Sequence, residues 1–369
     1  MNELNGTYKR DTTPPSRSAQ RTTGSEQETI APRTLSPSVR AGLDVARAMA
    51  ALYVVVHHTV QIPGPAGAIF SFGQEAVLVF FLLSGFVIFA NEKDRSARPM
   101  GYYLRRVRRI YPPMLVAMAI STALWATGLI SQSFSVESLL GTLLAVQDIG
   151  FLKPGVVTDP YLGNDPLWSL SYEIFFYMVF PIVMIAWRRS EVATRWAVPI
   201  VSVVAYATYL MAPNHLSLVI AYFLMWWAGA MVAHLYLGGG IRVRNALPEF
   251  VGLTVLCAAA AVGVFAYGFA GLGYFPFLIF RHCAVVLVLF ALLFTPIRSL
   301  LARMSVRVAG AAAAVAGISY GLYVVHYPIL VQTSANESWW IVPAIAGTIG
   351  AAWLADKGTD KLLPRAPRS

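Results

Sequence analysis

Ten apolar runs, each about as long as a bilayer is thick, fill the sequence from Leu43 almost to its end. A spanning helix needs about 20 predominantly apolar residues, because hydrocarbon offers no water to satisfy a non-helical backbone. The runs fall roughly at 43–62, 73–91, 113–131, 166–187, 196–212, 217–237, 249–270, 274–297, 314–333 and 338–356. Arg281 and His282 interrupt the eighth. The 369-residue chain is 57% hydrophobic and 12% charged, about half the charged share of a soluble domain. That balance excludes a disordered chain and argues against a soluble enzyme. The expected fold is all-α: a polytopic membrane helical bundle of about ten transmembrane helices.

Basic residues orient such a bundle, since cytoplasmic loops retain Lys and Arg. With the N-terminus inside, 25 of the 28 Lys and Arg fall in inside segments and one, Lys153, falls outside. Arg47 and Arg281 lie within spans. Both termini are therefore expected in the cytoplasm. Residues 1–40 are rich in Ser, Thr, Pro, Arg and Glu and have no apolar periodicity. They are expected to be a disordered cytoplasmic tail, because they cannot bury enough surface to offset ordering entropy. They also lack the apolar core of a cleavable signal peptide. Residues 357–369 read as a basic cytoplasmic tail. The net charge of +10 is dispersed between apolar runs, so it reports topology and attraction to membrane lipids, with no nucleic-acid partner expected. Cys257 and Cys283 sit in apolar runs, with neither a disulfide framework nor metal-ligand spacing. No zinc, P-loop, dinucleotide or nucleophile-elbow signature is present, so no metal, nicotinamide or flavin is expected.

Ionisable residues inside spans are functional suspects. At 100° per residue, Arg47 and His58 differ by about 20° from three full turns, with a rise of about 16 Å between them. Asp44 lies about 60° from Arg47 on the same side. These three form one stripe into the bundle, and His57 falls off it. Asp44 and Arg47 could equally pair at the interface. Glu173 sits about two turns into the fourth span, after Trp168, Ser169 and Ser171. Trp168 also fits an interfacial belt, and the serines could bond only their own helix. His326 in the ninth span and Arg281 with His282 in the eighth lie at a similar outer depth. Arg281 and His282 could instead mark a short or tilted span. His215 and His234 read as incidental. The most basic inside segment, 92–112, carries Lys93, Arg95, Arg98, Arg105, Arg106, Arg108 and Arg109. It could anchor to anionic lipid or fork onto phosphate oxygens, with Arg106 and Arg109 facing one way on a helix.

Five segments then take on a pattern. Leu43-Asp-Val-Ala-Arg47 with His57-His58, Phe80-Phe81-Leu-Leu-Ser84-Gly85-Phe86, Arg105-Arg106-Val-Arg-Arg109-Ile-Tyr-Pro112, Trp168-Ser-Leu-Ser-Tyr-Glu173 and Ser319-Tyr-Gly-Leu-Tyr-Val-Val-His326-Tyr-Pro328 resemble, in order, motifs of the acyltransferase-3 family. The resemblance covers nearly all of 43–356 and makes 41–356 a membrane acyltransferase domain. It implies transfer of an acyl group, commonly acetyl from acyl-CoA, to a carbohydrate hydroxyl at the outer side of a bacterial cytoplasmic (inner) membrane. One departure is that Glu173 is followed by Ile174 where the family usually carries a second acid. A fused extracellular esterase-like domain, found in some members, has no counterpart here, so a second transfer step on this polypeptide is not expected.

The resemblance also implies roles. The family's essential Arg–His pair falls on Arg47 and His58, and its Arg-x-x-Arg on Arg106 and Arg109. Arg106 and Arg109, with Arg105 and Arg47, would hold the phosphates of acyl-CoA. His58 would act as general base or carry the acyl group transiently. Glu173 or His326 would orient it. Asp44, Ser84, Trp168, Arg281 and His282 are candidate substrate contacts. A proton-coupled transporter or flippase of a glycan would use similar residues, and a non-catalytic scaffold of a polysaccharide assembly complex is a third reading.

Overall fold

A computed structural model describes residues 35–60, 65–333 and 340–358. The expectations for 1–34 and 359–369 lie outside the described residues. Thirteen α-helices are present among the described residues, and no β-strand is. The first is α1, Pro37–Thr59. It begins inside the segment expected to be disordered, because Ser36 accepts a hydrogen bond from the Val39 amide and Pro37 presets the first turn. Next come α2, Gly73–Glu92, and α3, Pro99–Ala126. The basic stretch is therefore largely the first half of a 28-residue helix, not a loop. Pro112 and Pro113 lie inside α3 and remove its ladder bonds to the Arg108 and Arg109 carbonyls.

The short amphipathic α4, Val136–Leu143, is capped by Ser135. Then follow α5, Trp168–Arg189; α6, Glu191–Met211; α7, His215–Leu237; and α8, Leu247–Tyr267. Ser190 and Asn214 side chains cap α6 and α7. The remaining helices are α9, Phe277–Leu292; α10, Ile297–Arg307; α11, Ala309–Ala316; α12, Ser319–His326; and α13, Ile341–Trp353. A π-helical turn, Tyr327–Val331, continues α12.

Four helical segments, Gly67–Glu92, Asp165–Arg189, His215–Leu237 and Val243–Tyr267, are long and apolar enough to cross a membrane. Two bent pairs raise the number to six if each is one span: α9 with α10 at 85°, and the α11–α12 region at 51°. In α1, Asp44, Arg47, His57 and His58 dilute the apolar character, and only the second half of α3 is apolar.

Helix α7 is apolar all round and buried along most of its length, which makes it the centre of the bundle. Its neighbour α2 approaches at backbone distance. A β-carbon on Gly85 would collide with the Trp226 carbonyl, and one on Gly229 with the Leu82 carbonyl. Small residues permit such crossings where lipid supplies no hydrophobic drive between helices. Gly229→Val should therefore destabilise the fold by about 1–3 kcal/mol, read as a lower thermal midpoint of the detergent-solubilised protein; an unchanged midpoint would refute the tight crossing.

Candidate active site

Helix α1 carries two of the candidate positions, Arg47 and His58. Arg47 lines a cavity of about 480 Å³, and His58, three turns further on, lines a second of about 190 Å³. Val77 and Tyr323 line both. The two chambers thus adjoin across a wall that includes one valine and one tyrosine.

The larger chamber is rich in arginine. Arg47, Arg105, Arg106, Arg108 and Arg109 all line it, with Glu173, Ser84 and Tyr177. Carboxylates steer some of these side chains. Arg105 makes a bidentate pair with Glu92, at 2.9 Å from Nε and 2.6 Å from Nη2. Arg106 Nη2 reaches the same carboxylate at 3.1 Å. Arg109 Nη1 bonds Asp356 at 3.0 Å, and Asp356 also accepts the Gly321 amide at 2.7 Å. Donors are left over: Arg106 Nε and Arg108 Nη1 are buried without a hydrogen-bond partner. Among the described residues, no hydrogen bond or ion pair holds the Arg47 guanidinium. Buried donors without partners are rare and expensive, and five guanidinium groups line this one chamber. Ser84 Oγ donates to Glu173 Oε1 at 3.1 Å and accepts from Trp226 Nε1 at 3.2 Å. Tyr177 bonds the same carboxylate oxygen.

The smaller chamber is built around two imidazoles. His58 Nδ1 lies 3.1 Å from His326 Nε2, and His326 Nδ1 lies 3.0 Å from the Leu322 carbonyl. A carbonyl only accepts, so His326 carries its proton on Nδ1 and accepts on Nε2. His58 must then donate from Nδ1, which leaves the lone pair of its Nε2 free. The tautomers are assigned by this chain of bonds. The Tyr327 ring stands edge-on to His58 with centroids 5.1 Å apart, and the Tyr327 hydroxyl donates to Asp165 Oδ2 at 3.2 Å. Trp168, Asp165 and His57 line the same chamber.

The structure brings together His58 with His326, and Arg47 with Arg105, Arg106, Arg109, Ser84 and Glu173. It separates others. Glu173 belongs to the arginine chamber, so of the two residues expected to orient His58 it is His326 that touches it. Arg105 is taken up largely by Glu92. Asp44 lines neither chamber, although its charge reaches Arg47. Trp168 is 2% exposed, buried against Phe81 and Tyr172, which rules out a place in an interfacial belt. Arg281 and His282, expected as substrate contacts, line neither chamber. Arg281 pairs with Glu75, reaching Oε2 from Nη2 at 3.1 Å, and His282 Nδ1 meets the Tyr222 hydroxyl at 2.5 Å. Both contacts are buried, and His282 Nε2 lies 3.7 Å from Glu75 Oε1 with no hydrogen-bond partner.

Several residues escaped the reading of single spans. Arg108 was counted only as one of a basic run, Glu75 and Asp356 carried no motif, and Lys153 stood as the lone outside base. Lys153 is in fact fully buried, with Nζ 2.5 Å from Asp148 Oδ1 and 4.1 Å from the Trp168 ring centroid. Burial pushes its ammonium group down, and the Asp148 carboxylate opposes that. The sequence signal for Glu75 was its place in an apolar run; for Lys153 there was no local signal. Among the described residues, no group of three or more His, Cys, Asp or Glu is arranged to hold a metal.

Comparison with known families decides the assignment. The acyltransferase-3 family model, described as an acyltransferase domain, matches residues 40–356. The chain belongs to the acyltransferase-3 family. Within curated proteins, it is similar to nodulation protein 10 of Rhizobium leguminosarum bv. viciae, 27% identical over 39% of this chain and 41% of the relative. Acyltransferase MdmB of Streptomyces mycarofaciens is 33% identical over 34% of this chain and 32% of its own. The exopolysaccharide production protein ExoZ of Rhizobium meliloti (strain 1021) is 29% identical over 36% and 39%. The chain thus covers less than half the length of each of these relatives. No solved structure matches.

The buried Glu75–Arg281 pair yields a stability test. Removing one partner of such a pair strands a charge and costs about 3–5 kcal/mol. Glu75→Gln should lower the thermal midpoint sharply, and the double variant Glu75→Leu/Arg281→Met should recover much of the loss. Additive losses would show that the two side chains do not depend on each other.

Proposed function

We propose that this protein is an integral membrane O-acyltransferase that moves an acyl group, acetyl in the simplest case, from cytoplasmic acyl-CoA to a carbohydrate hydroxyl presented from the outer side. The observation that carries the reading is the shared wall: a chamber of arginines with unpartnered donors abuts a chamber holding a base-competent imidazole. Family membership supports the acyl chemistry, and the names of the relatives, an exopolysaccharide production protein among them, favour a sugar acceptor.

The rest follows from chemistry. Ten spans, with both termini and the arginine chamber on the cytoplasmic side of an inner membrane, accord with the lysine and arginine asymmetry. The donor carries phosphates, and guanidinium forks bind phosphate oxygens bidentately. Arg47, Arg106, Arg108 and Arg109 hold those phosphates, while Glu92 and Asp356 fix the planes of Arg106 and Arg109. The acyl-bearing arm then reaches past Val77 and Tyr323 to His58. There the free Nε2 of His58 takes the proton of the acceptor hydroxyl. The hydroxyl oxygen attacks the thioester carbonyl, the new C–O bond forms, the C–S bond breaks, and the leaving thiolate collects the proton from His58. His326 holds the tautomer that this step needs.

Three outcomes test the reading in nanodiscs with radiolabelled acetyl-CoA and a surface-glycan extract. His58→Ala should lose about 10²–10⁴-fold in transfer while the protein still inserts and elutes as folded. Arg106→Ala and Arg109→Ala should raise the donor KM. Val77→Phe, which thickens the partition, should lower kcat and leave donor binding intact. Wild-type transfer by the His58 variant, or glycan transport without release of coenzyme A, would overturn the proposal.

A further inference from the structure

Beside the histidine chamber lies a third and wider space, a cleft of about 770 Å³ lined by the α4 region, the 150–165 segment and the π-helical turn after α12. Phe151 and Asp165 line both this cleft and the histidine chamber, so the two adjoin. Tyr327 joins them as well: it lines the cleft, bonds Asp165 and stands against the His58 ring.

The chemistry of the cleft is opposite to that of the arginine chamber. Its walls carry several serines, the amides of Gln132 and Gln332, and the carboxylates of Glu137, Asp159 and Asp165. No Lys, Arg or His is among the described residues that line it. Lys153, in the same 150–165 segment, is tied to Asp148 and does not line the cleft. Gln332 donates through Nε2 to the Leu162 and Gly163 carbonyls, at 2.7 and 2.9 Å, while its Oε1 is buried with no partner.

We infer that this cleft is the acceptor subsite and that it selects uncharged or amino-bearing sugars against uronates and other anionic glycans. The inference rests on the acyltransferase reading above. Sugar hydroxyls are donors as well as acceptors, and carboxylates and fixed amide oxygens are the groups that pair with them. The volume falls within the range of about 300–1,000 Å³ usual for small-molecule sites. An anionic substituent would meet three carboxylates and no base, and specificity arises from such repulsion as much as from attraction. The same arrangement keeps the anionic donor out of the acceptor site, so the charge of the passage changes sign between its two ends.

Methyl β-D-glucoside, the matched glucosaminide and the matched glucuronide differ chiefly in charge and serve as probes. Saturation-transfer NMR on the protein in nanodiscs reads binding without requiring turnover. The glucoside and the glucosaminide should bind, and the glucuronide should bind ~tenfold more weakly or worse. Asp159→Lys should erase or reverse that order. Because Asp159 also accepts the Gly150 amide at 2.9 Å, Glu137→Lys on exposed α4 provides a second reversal should the first variant fail to fold. Glucuronide binding equal to glucoside binding, an order unchanged by charge reversal in folded protein, or no binding of any probe would overturn the inference. Label transfer from acetyl-CoA is measured separately. Charge-ranked binding without any transfer would sink the acyltransferase reading and leave the cleft standing as a selective sugar site.

Discussion

A charge placed inside an apolar bundle must be answered nearby, because neither lipid nor packed side chains will solvate it. That constraint organises this structure. Glu75 answers Arg281, Asp148 answers Lys153, Glu249 answers Arg195 and Glu92 answers Arg105, each carboxylate buried. Such pairs contribute little net stability but are destabilising to break. They fix how helices sit against one another: α2 against α9, and α6 against α8. Set against them, the arginine chamber stands out. Arg106 and Arg108 keep unpartnered donors although Arg106 also reaches Glu92, and no hydrogen bond or ion pair among the described residues holds Arg47, which lines the same chamber.

The second organising feature is the chain of bonds through His326. The Leu322 carbonyl within α12 fixes the proton on one ring, which fixes the proton on the next and leaves a lone pair on His58 Nε2. The effect resembles what a carboxylate does for a catalytic histidine, with one difference. A neutral imidazole sets the tautomer but brings no negative charge to stabilise an imidazolium. In the reaction proposed above, the proton on His58 therefore has to leave quickly, and the departing thiolate is a ready acceptor for it.

Much of this was legible before any coordinates. The apolar runs foretold an all-helical chain, and the helical arithmetic that put Arg47 and His58 on one face holds in α1. The similarity of depth that grouped His58 with His326 also corresponds to a real contact. Elsewhere depth misled. Glu173, Arg281 and His282 lie in the same layer by count, yet Glu173 faces the arginines, and the other two are consumed by Glu75 and Tyr222. Depth is a coordinate along one axis, and it says nothing about which neighbour stands across the gap. The basic stretch interrupts the apolar pattern and so stands between the apolar runs, yet most of it is helix α3; a helix tolerates such charges when one face looks into a polar chamber.

Periodicity and charge are local properties, so the sequence alone determined which segments are helical, where basic residues accumulate and which faces of α1 carry polar groups. Pairing is not local. Arg109 finds Asp356 across 247 positions, His58 finds His326 across 268, and Val77 and Tyr323 line the same two chambers from helices far apart in the chain. Only the packing of the bundle could decide which charges cancel and which remain free, because that choice depends on distances between helices that no single segment encodes.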